Sequence, residues 1–279
     1  MANVTVTTAA NFIPEVWSND ILDIVKANLV LVPRVSNYSA DVKSKGDTIH
    51  VPTVTEISAT AKTAGTDVTA TANTESKVDI SLDQYFYAAV KIEDIVKTQS
   101  QADMKAIYTR AIGYAITKKM DTTLAALGAA FSQTTGTTNT ALTDAVILSS
   151  IVYLDNANAP MQDRHFVIKP QAKADILALD KFVLFQNTGA VSGGSRVMNG
   201  NLGEIYGVEV AVTTQIQQSA SPVTNENMMF QKDALAIAKQ SNVRVQAQYK
   251  LESLADLLVA DAIWGVKEMR DTFGVLVKS

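Results

Sequence analysis

Reactive side chains are few in this 279-residue sequence. It has two histidines, His50 and His165, no cysteine, and 28 Asp and Glu scattered along its length. Zinc and haem sites need clustered His, Cys or carboxylate ligands, and two distant histidines cannot supply such a set. One arrangement invites a hydrolase reading. Asp163-Arg164-His165 precedes a glycine-rich loop holding Ser192 and Ser195, and a serine activated by a histidine is a nucleophile. The plainer reading, adopted here, starts a strand at His165 and puts Asp163 and Arg164 in a surface turn. No phosphate-binding loop, dinucleotide fingerprint or nucleophile elbow is present. No pair of carboxylates stands out for acid–base work. The sequence thus assigns no catalytic, cofactor-binding or metal-ligating residue and calls for no enzyme and no cofactor.

Composition sets the class. Apolar residues make up 47% of the chain and the mean hydropathy is +0.09, values of a globular protein. The net charge of -4 leaves no overall basic footprint, and neither a basic stripe nor an aromatic stacking platform for nucleic acid is visible. The first residues, Met1 to Thr5, do not read as a secretion signal, and no apolar run approaches the ~20 residues of a membrane helix.

The elements that carry these side chains are long and extended. Residues 1–14 read as a Thr-rich arm. Pro14 opens a helical pattern in which Val16, Trp17, Ile21, Ile24, Val25 and Leu29 share a stripe, ending before Pro33. A hairpin follows. Its first strand, Thr48 to Val51, is limited by Pro52 to an edge or an end. Its return alternates for about fifteen residues: Val78, Ile80, Leu82, Phe86, Ala88, Val90 and Ile92 take one face, and Lys77, Asp79, Ser81, Asp83, Tyr85 and Lys91 the other. Unbroken, that strand would run ~50 Å. The intervening residues 55–76 hold only Ile57 and Val68 as larger aliphatics and cannot build a core. They read either as a disordered surface loop or as an arm that orders only when laid across another subunit.

A helix is then expected from Gln99 to Phe131, about 50 Å at 1.5 Å per residue, several times the usual length. Met104, Ile107, Tyr108, Ala111, Ile112, Ala115, Ile116, Met120, Leu124 and Leu127 form its apolar stripe, with Arg110, Lys118 and Asp121 outside it. Residues 132–140 form a polar linker. Beyond it the pattern turns compact: a helix capped at Thr143-Asp144 to about Asn156, a strand Arg164–Ile168, a helix from Pro170 to about Asp180, the glycine-rich loop 189–203, a strand Ile205–Val212, two strands within 228–248, a helix Leu251–Trp264 and a strand Thr272–Lys278.

In their order and phrasing these segments resemble the major capsid proteins of tailed bacteriophages, with the Hong Kong 97-type fold. FIPEVWSNDILDIVKANLVLVPRV resembles the N-terminal arm and helix. GDTIHVPTV with KVDISLDQYFYAAVKIEDI resembles the extended E-loop, and residues 99–131 the spine helix. MQDRHFVIKPQAKADIL and GEIYGVEVAVTTQI resemble phrases of the axial domain, and LADLLVADAIWGVKEMRDTFGVLV the C-terminal return to the peripheral domain. The resemblance implies an α+β fold with an N-terminal arm and helix at 1–45, an E-loop at 46–92, a peripheral domain with the spine helix at 93–136, an axial domain at 137–233 and a return to the peripheral domain at 234–279. It implies self-assembly of hexamers and pentamers into an icosahedral shell around double-stranded DNA, with weak non-specific DNA contact and no membrane. It also implies a separate scaffolding protein, since no long charged N-terminal extension is present, a portal, and a place in the virion after assembly in the host cytoplasm. In some relatives an E-loop lysine crosslinks to an asparagine of a neighbour. Lys62 matches by position alone.

Two further classes fit parts of the pattern. An encapsulin-type nanocompartment uses the same fold around a cargo enzyme, and recovery of cargo rather than DNA separates it. A Thr-rich adhesin or fibre module accounts for the arm but not for the long amphipathic helix.

Overall fold

The computed structural model describes residues 29–42, 46–54, 57–68, 70, 75–95, 104–179, 202–220 and 223–279. The helix expected from Pro14 and residues 189–201 of the glycine-rich loop, with Ser192 and Ser195, lie outside the described residues. Leu29, expected as that helix's last apolar position, is not helical, and Pro33 sits in a 3-10 turn at Val32–Arg34.

Two sheets and one long helix organise the chain. A four-stranded sheet has the order β1-β11-β12-β4, formed by Ser36–Asn37, Leu235–Lys250, Ala255–Glu268 and Gln84–Glu93. A seven-stranded mixed sheet runs β5-β13-β10-β6-β8-β7, formed by Thr134–Gly136, Gly274–Lys278, Val223–Gln231, Arg164–Ile168, Val208–Val212 and Glu204–Ile205, with β9 (Gln218–Ala220) on the first residues of β10. Helix α1, Met104–Gly128, connects the two cores. Ile112, Ile116 and Met120 pack on Ile92, Leu258, Ala260, Ala262 and Trp264 of the four-stranded sheet. One turn later Leu124 and Ala125 enter the larger core with Phe166, Phe230 and Val275. The apolar stripe expected from the sequence is real, and it rotates from one core to the other along the helix.

Helices α2 (Asp144–Asn156) and α3 (Pro170–Leu177) keep the expected positions, and β6 is buried at all five residues. Thr143 occupies the N-cap of α2 without a side-chain cap bond. The expected strand 205–212 is a tight hairpin, β7–β8. Tyr206 and Gly207 hold φ of 51° and 78°, the positive pair that a primed two-residue turn requires. The polar stretch 132–140 is not a free linker. Its residues 134–136 form β5, parallel to β13, and the Thr135 hydroxyl shares a 2.7 Å hydrogen bond with that of Ser150.

The largest departure is at 255–268, where a helix was expected through Trp264 and a strand of 14 residues is found. Strand β12 lies between β11 and β4 with α1 across one face, where Leu258, Ala260, Ala262 and Trp264 are buried, while Leu257, Val259 and Ile263 on the other face are half-buried. With apolar residues on both faces the strand shows a near-continuous apolar run, and periodicity cannot tell that run from a buried helix.

The long returning strand is two strands. β3 (Glu75–Ser81) pairs with β2 (Thr48–Val54), whereas β4 pairs with β12. Side-chain parity passes through the break intact: Ile80 is fully buried, Ile92 nearly so, and Tyr85 and Tyr87 are exposed. Leu82 N donates to Asp47 O at 2.7 Å, and the Ser81 carbonyl rests against Gly265 of β12, where a Cβ would collide with it. The hairpin can leave the sheet there because Gly265 lacks a side chain. Gly265→Ala is expected to cost about 1–3 kcal/mol in urea unfolding, because the obstructing atom is backbone and cannot rotate away. An unchanged midpoint would mean that this close approach does not fix the hairpin's exit.

Candidate assembly interface

Hairpin β2–β3 forms a sheet of its own. Only its base is packed: Ile80 joins Ala236 and Ala238, with Ile49, Val51 and Leu82 partly buried around them. Toward the tip nothing covers it. Val54 is 71% exposed, Ile57 75% and Val68 76%, and residues 57–68, Lys62 among them, are exposed without regular structure. Pro52 lies inside β2 opposite Lys77, so the strand runs three residues past Val51. A two-stranded sheet has only edges, and proline is tolerated there. The exposed side of the hairpin carries a charge cluster. His50 Nδ1 lies 2.5 Å from Asp79 Oδ1, and Lys77 Nζ is 3.3 Å from Asp79 Oδ2. The hydrogen bond to His50 holds the Asp79 carboxyl below its ordinary range. An isolated hairpin is marginal in water. With its sides open and its base anchored, this one presents unpaired strand edges to a neighbour.

A second feature fastens the segment that runs into the fold. Asp121, expected on the solvent side of α1, is fully buried. Its Oδ2 accepts from Val30 N at 3.1 Å, and its Oδ1 accepts from Leu31 N at 2.9 Å and Val32 N at 3.1 Å. Burial pushes the Asp121 carboxyl up, and the three backbone donors only partly offset it. The signal was non-local. Its partners lie about ninety residues upstream and present backbone alone, which no side-chain pattern reveals.

Nearby, several connections between the two sheets converge. Asp271 holds Ser132 through the backbone N–H at 2.9 Å and through the hydroxyl. It also shares a hydrogen bond with Glu268 at the end of β12. Burial and the adjacent Asp271 push Glu268 up to about 7, with Lys267 opposing. Burial raises Asp271 too, but the Ser132 donors and Glu268 outweigh this and hold it below its ordinary range. Glu268 gains a proton on folding. Its contribution is therefore complete below the unfolded value of about 4.5 and is lost as pH rises through about 7. Glu268→Gln is expected to melt like the parent near pH 4 and at a higher temperature at pH 8, a modest gain at a partly exposed site. Equal melting temperatures at both pH values would show that the pair shares no proton.

Of the residues that suggested a hydrolase, Asp163, Arg164 and His165 are described. Asp163 is in a turn at φ 55°, as expected. Arg164 is not on the surface. Its guanidinium is buried and donates to Ala159 O at 2.6 Å, Pro160 O at 2.8 Å and Asp155 Oδ1 at 2.7 Å, closing the loop after α2. A buried arginine needs such a full set of acceptors. His165 lies within β6, and burial pushes its pKa down. Its Nδ1 is 2.9 Å from Glu209 Oε2, close enough for charge contact but not aligned as a hydrogen bond. Glu209 is held low by Arg34, which donates to it at 2.6 Å. Among the described residues no serine hydroxyl bonds to His165, and no group of three or more metal-ligating side chains forms.

Neither a protein-family model nor a curated protein matches the chain. Solved structures do. A chain from Mycobacterium phage Che8 superposes with a TM-score of 0.81 at 25% identity, covering 96% of this chain and 97% of that one. The capsid of cyanophage P-SCSP1u gives 0.77 at 16% identity over 99% and 96% of the two chains. The mature capsid of bacteriophage PhiM1 gives 0.73 at 13%, over 95% and 91%. These likenesses show a phage capsid fold.

Proposed function

We infer that this chain is the major capsid protein of a tailed bacteriophage, a structural component of the virion that self-assembles into an icosahedral shell. The observation that carries the inference is the two-way coverage of the likenesses, 96% of this chain and 97% of the Che8 chain, and 99% and 96% for the cyanophage P-SCSP1u capsid. The fold supports it. A hairpin whose exposed sides find no cover among the described residues supplies a heterologous contact, and such contacts close into rings and shells when the rotation allows.

Within this reading α1 is the spine helix, the four-stranded sheet belongs to the peripheral domain, and the E-loop of 46–92 projects as hairpin β2–β3 and returns into that sheet through β4. The axial domain centres on the seven-stranded sheet. There β5 and β13 extend it beyond 137–233. The shell holds hexamers and pentamers built around double-stranded DNA in the host cytoplasm, with a separate scaffolding protein and a portal as partners. The subunit catalyses no reaction of its own.

The test is expression with and without scaffolding protein, followed by velocity sedimentation and nuclease treatment of the particles. Fast-sedimenting shells that hold nuclease-resistant DNA after packaging are expected. Shells that hold an enzyme and no DNA would identify a nanocompartment instead, and a monomer under every condition would overturn the reading.

A further inference from the structure

Three connections lead between the part of the chain built on the four-stranded sheet and the seven-stranded sheet. Residues 129–133 run from α1 to β5, the turn Lys232–Ala234 joins β10 to β11, and residues 269–273 join β12 to β13. They are tied at one place. Met269 N and Arg270 N both donate to Ala234 O, at 2.8 and 3.3 Å. Asp271 accepts from Ser132 N at 2.9 Å and from the Ser132 hydroxyl. The Phe131 ring lies so close to Gly274, the first residue of β13, that a Cβ there would collide with it. The connection 269–273 thus holds both of the others.

One contact in this joint needs a proton. Glu268 and Asp271 are hydrogen-bonded through their carboxyl groups. An ionised carboxylate only accepts, so two can bond each other only while one of them keeps its proton. That proton belongs to Glu268, because Asp271 already accepts from both donors of Ser132. Burial, and then Asp271 itself, push Glu268 up to about 7, with Lys267 opposing. The other charges nearby are turned elsewhere. Asp233 accepts from the Ser36 hydroxyl at 2.6 Å, and Arg270 lies over the Phe273 ring at 5.1 Å. Leu235, opposite Glu268 on β11, carries no charge. When the proton leaves, two carboxylates repel each other where the three connections meet.

We propose that this crossing point is a proton-operated joint, in which one proton held between Glu268 and Asp271 fixes the two sheets in their present orientation and its loss lets them turn against each other. Neither carboxyl belongs to a hydrophobic core, so each sheet stays folded on its own side of the joint. The direction follows from the protonated group. The joint is locked below about pH 7, where Glu268 holds its proton, and loosens as pH rises through that value. It is a property of the single subunit and does not rest on the shell reading.

The test is a distance measurement between spin labels at Asn156→Cys, the end of α2, and Gln246→Cys on β11. Both positions are exposed, and the chain has no cysteine of its own. The distance distribution should be narrow near pH 6 and should shift or broaden near pH 8. In Glu268→Gln the side-chain NH2 donates to Asp271 without titrating, so the narrow distribution should persist at both pH values. Hydrogen exchange, corrected for its intrinsic pH dependence, gives an independent reading. The amides of Ser132, Met269 and Arg270 should lose protection several-fold over that interval, and those of Phe166 and Ala260 within the sheets should not. A parent distribution that does not change, or a change that persists in Glu268→Gln, overturns the proposal. So does loss of protection throughout both sheets, which is unfolding and not a joint. If Glu268→Gln fails to fold, Lys267→Gln decides. Removing the opposing cation should move the midpoint of the parent's transition upward, and an unmoved or lowered midpoint assigns the transition to another group and overturns the proposal. None of these measurements reads assembly, so failure of the capsid reading leaves the result untouched.

Discussion

A subunit with residues 55–74 replaced by an Asn-Gly turn is expected to fold, to melt within a few degrees of the parent, and to form no regular shells. Val54 and Glu75 are the last paired residues of the hairpin, so a two-residue turn can join them directly. Shortening the loop lowers its closure entropy, and none of the described tip residues has a buried side chain to lose. Assembly should respond in the opposite way, because the described residues of the surface removed are exposed and join none of the cores. In the parent, this segment should be the first cut by protease in free subunits and become protected on assembly. Calorimetry and negative-stain microscopy read the two effects separately. Normal shells from the shortened protein would remove the tip from the interface, and failure to fold would place it in the core.

Asp121→Ala is expected to cost about 3 kcal/mol or more in urea unfolding. Two buried backbone donors and one partly buried lose their only described acceptor, and each buried orphan carries a desolvation penalty of about 1–3 kcal/mol. That the carboxyl sits above its ordinary pKa is no contradiction. The charge is costly to bury, yet removing it leaves the donors worse off. Asp121→Asn should lose less, because one amide oxygen can still serve Leu31 and Val32 while the NH2 opposes Val30 N. A substitution to alanine within about 0.5 kcal/mol of the parent, the range of an ordinary surface change, would show that the clasp does not hold the chain.

Much of the architecture was legible because its signals are local. Alternation from Val78 to Ile92 placed the buried and exposed sides of β3 and β4 correctly, and the spacing from Ile107 to Leu127 gave α1 and its packed face. What stayed hidden depends on partners. The exchange of β2 for β12 between Ser81 and Gln84 leaves side-chain parity untouched, so periodicity could not register it. Strand β12 looked helical because Leu254, Leu257, Leu258 and Asp261 also fit helical spacing. Apolar residues on both faces, Leu257, Val259 and Ile263 opposite Leu258, Ala260 and Ala262, give no alternation to correct that. Asp121 was misplaced for a related reason: its acceptors serve the backbone of residues 30–32, and backbone donors leave no trace in residue type. The polar run at 132–140 read as a linker from composition, although Thr134–Gly136 completes a sheet edge with β13, whose residues lie at the other end of the chain.

Electron cryomicroscopy of the protein assembled with its scaffolding partner tests the central claim most directly. The account predicts closed icosahedral shells in which residues 57–68 of each subunit lie across a neighbour. A persistent monomer, or an open fibre in which those residues touch no neighbour, would contradict it.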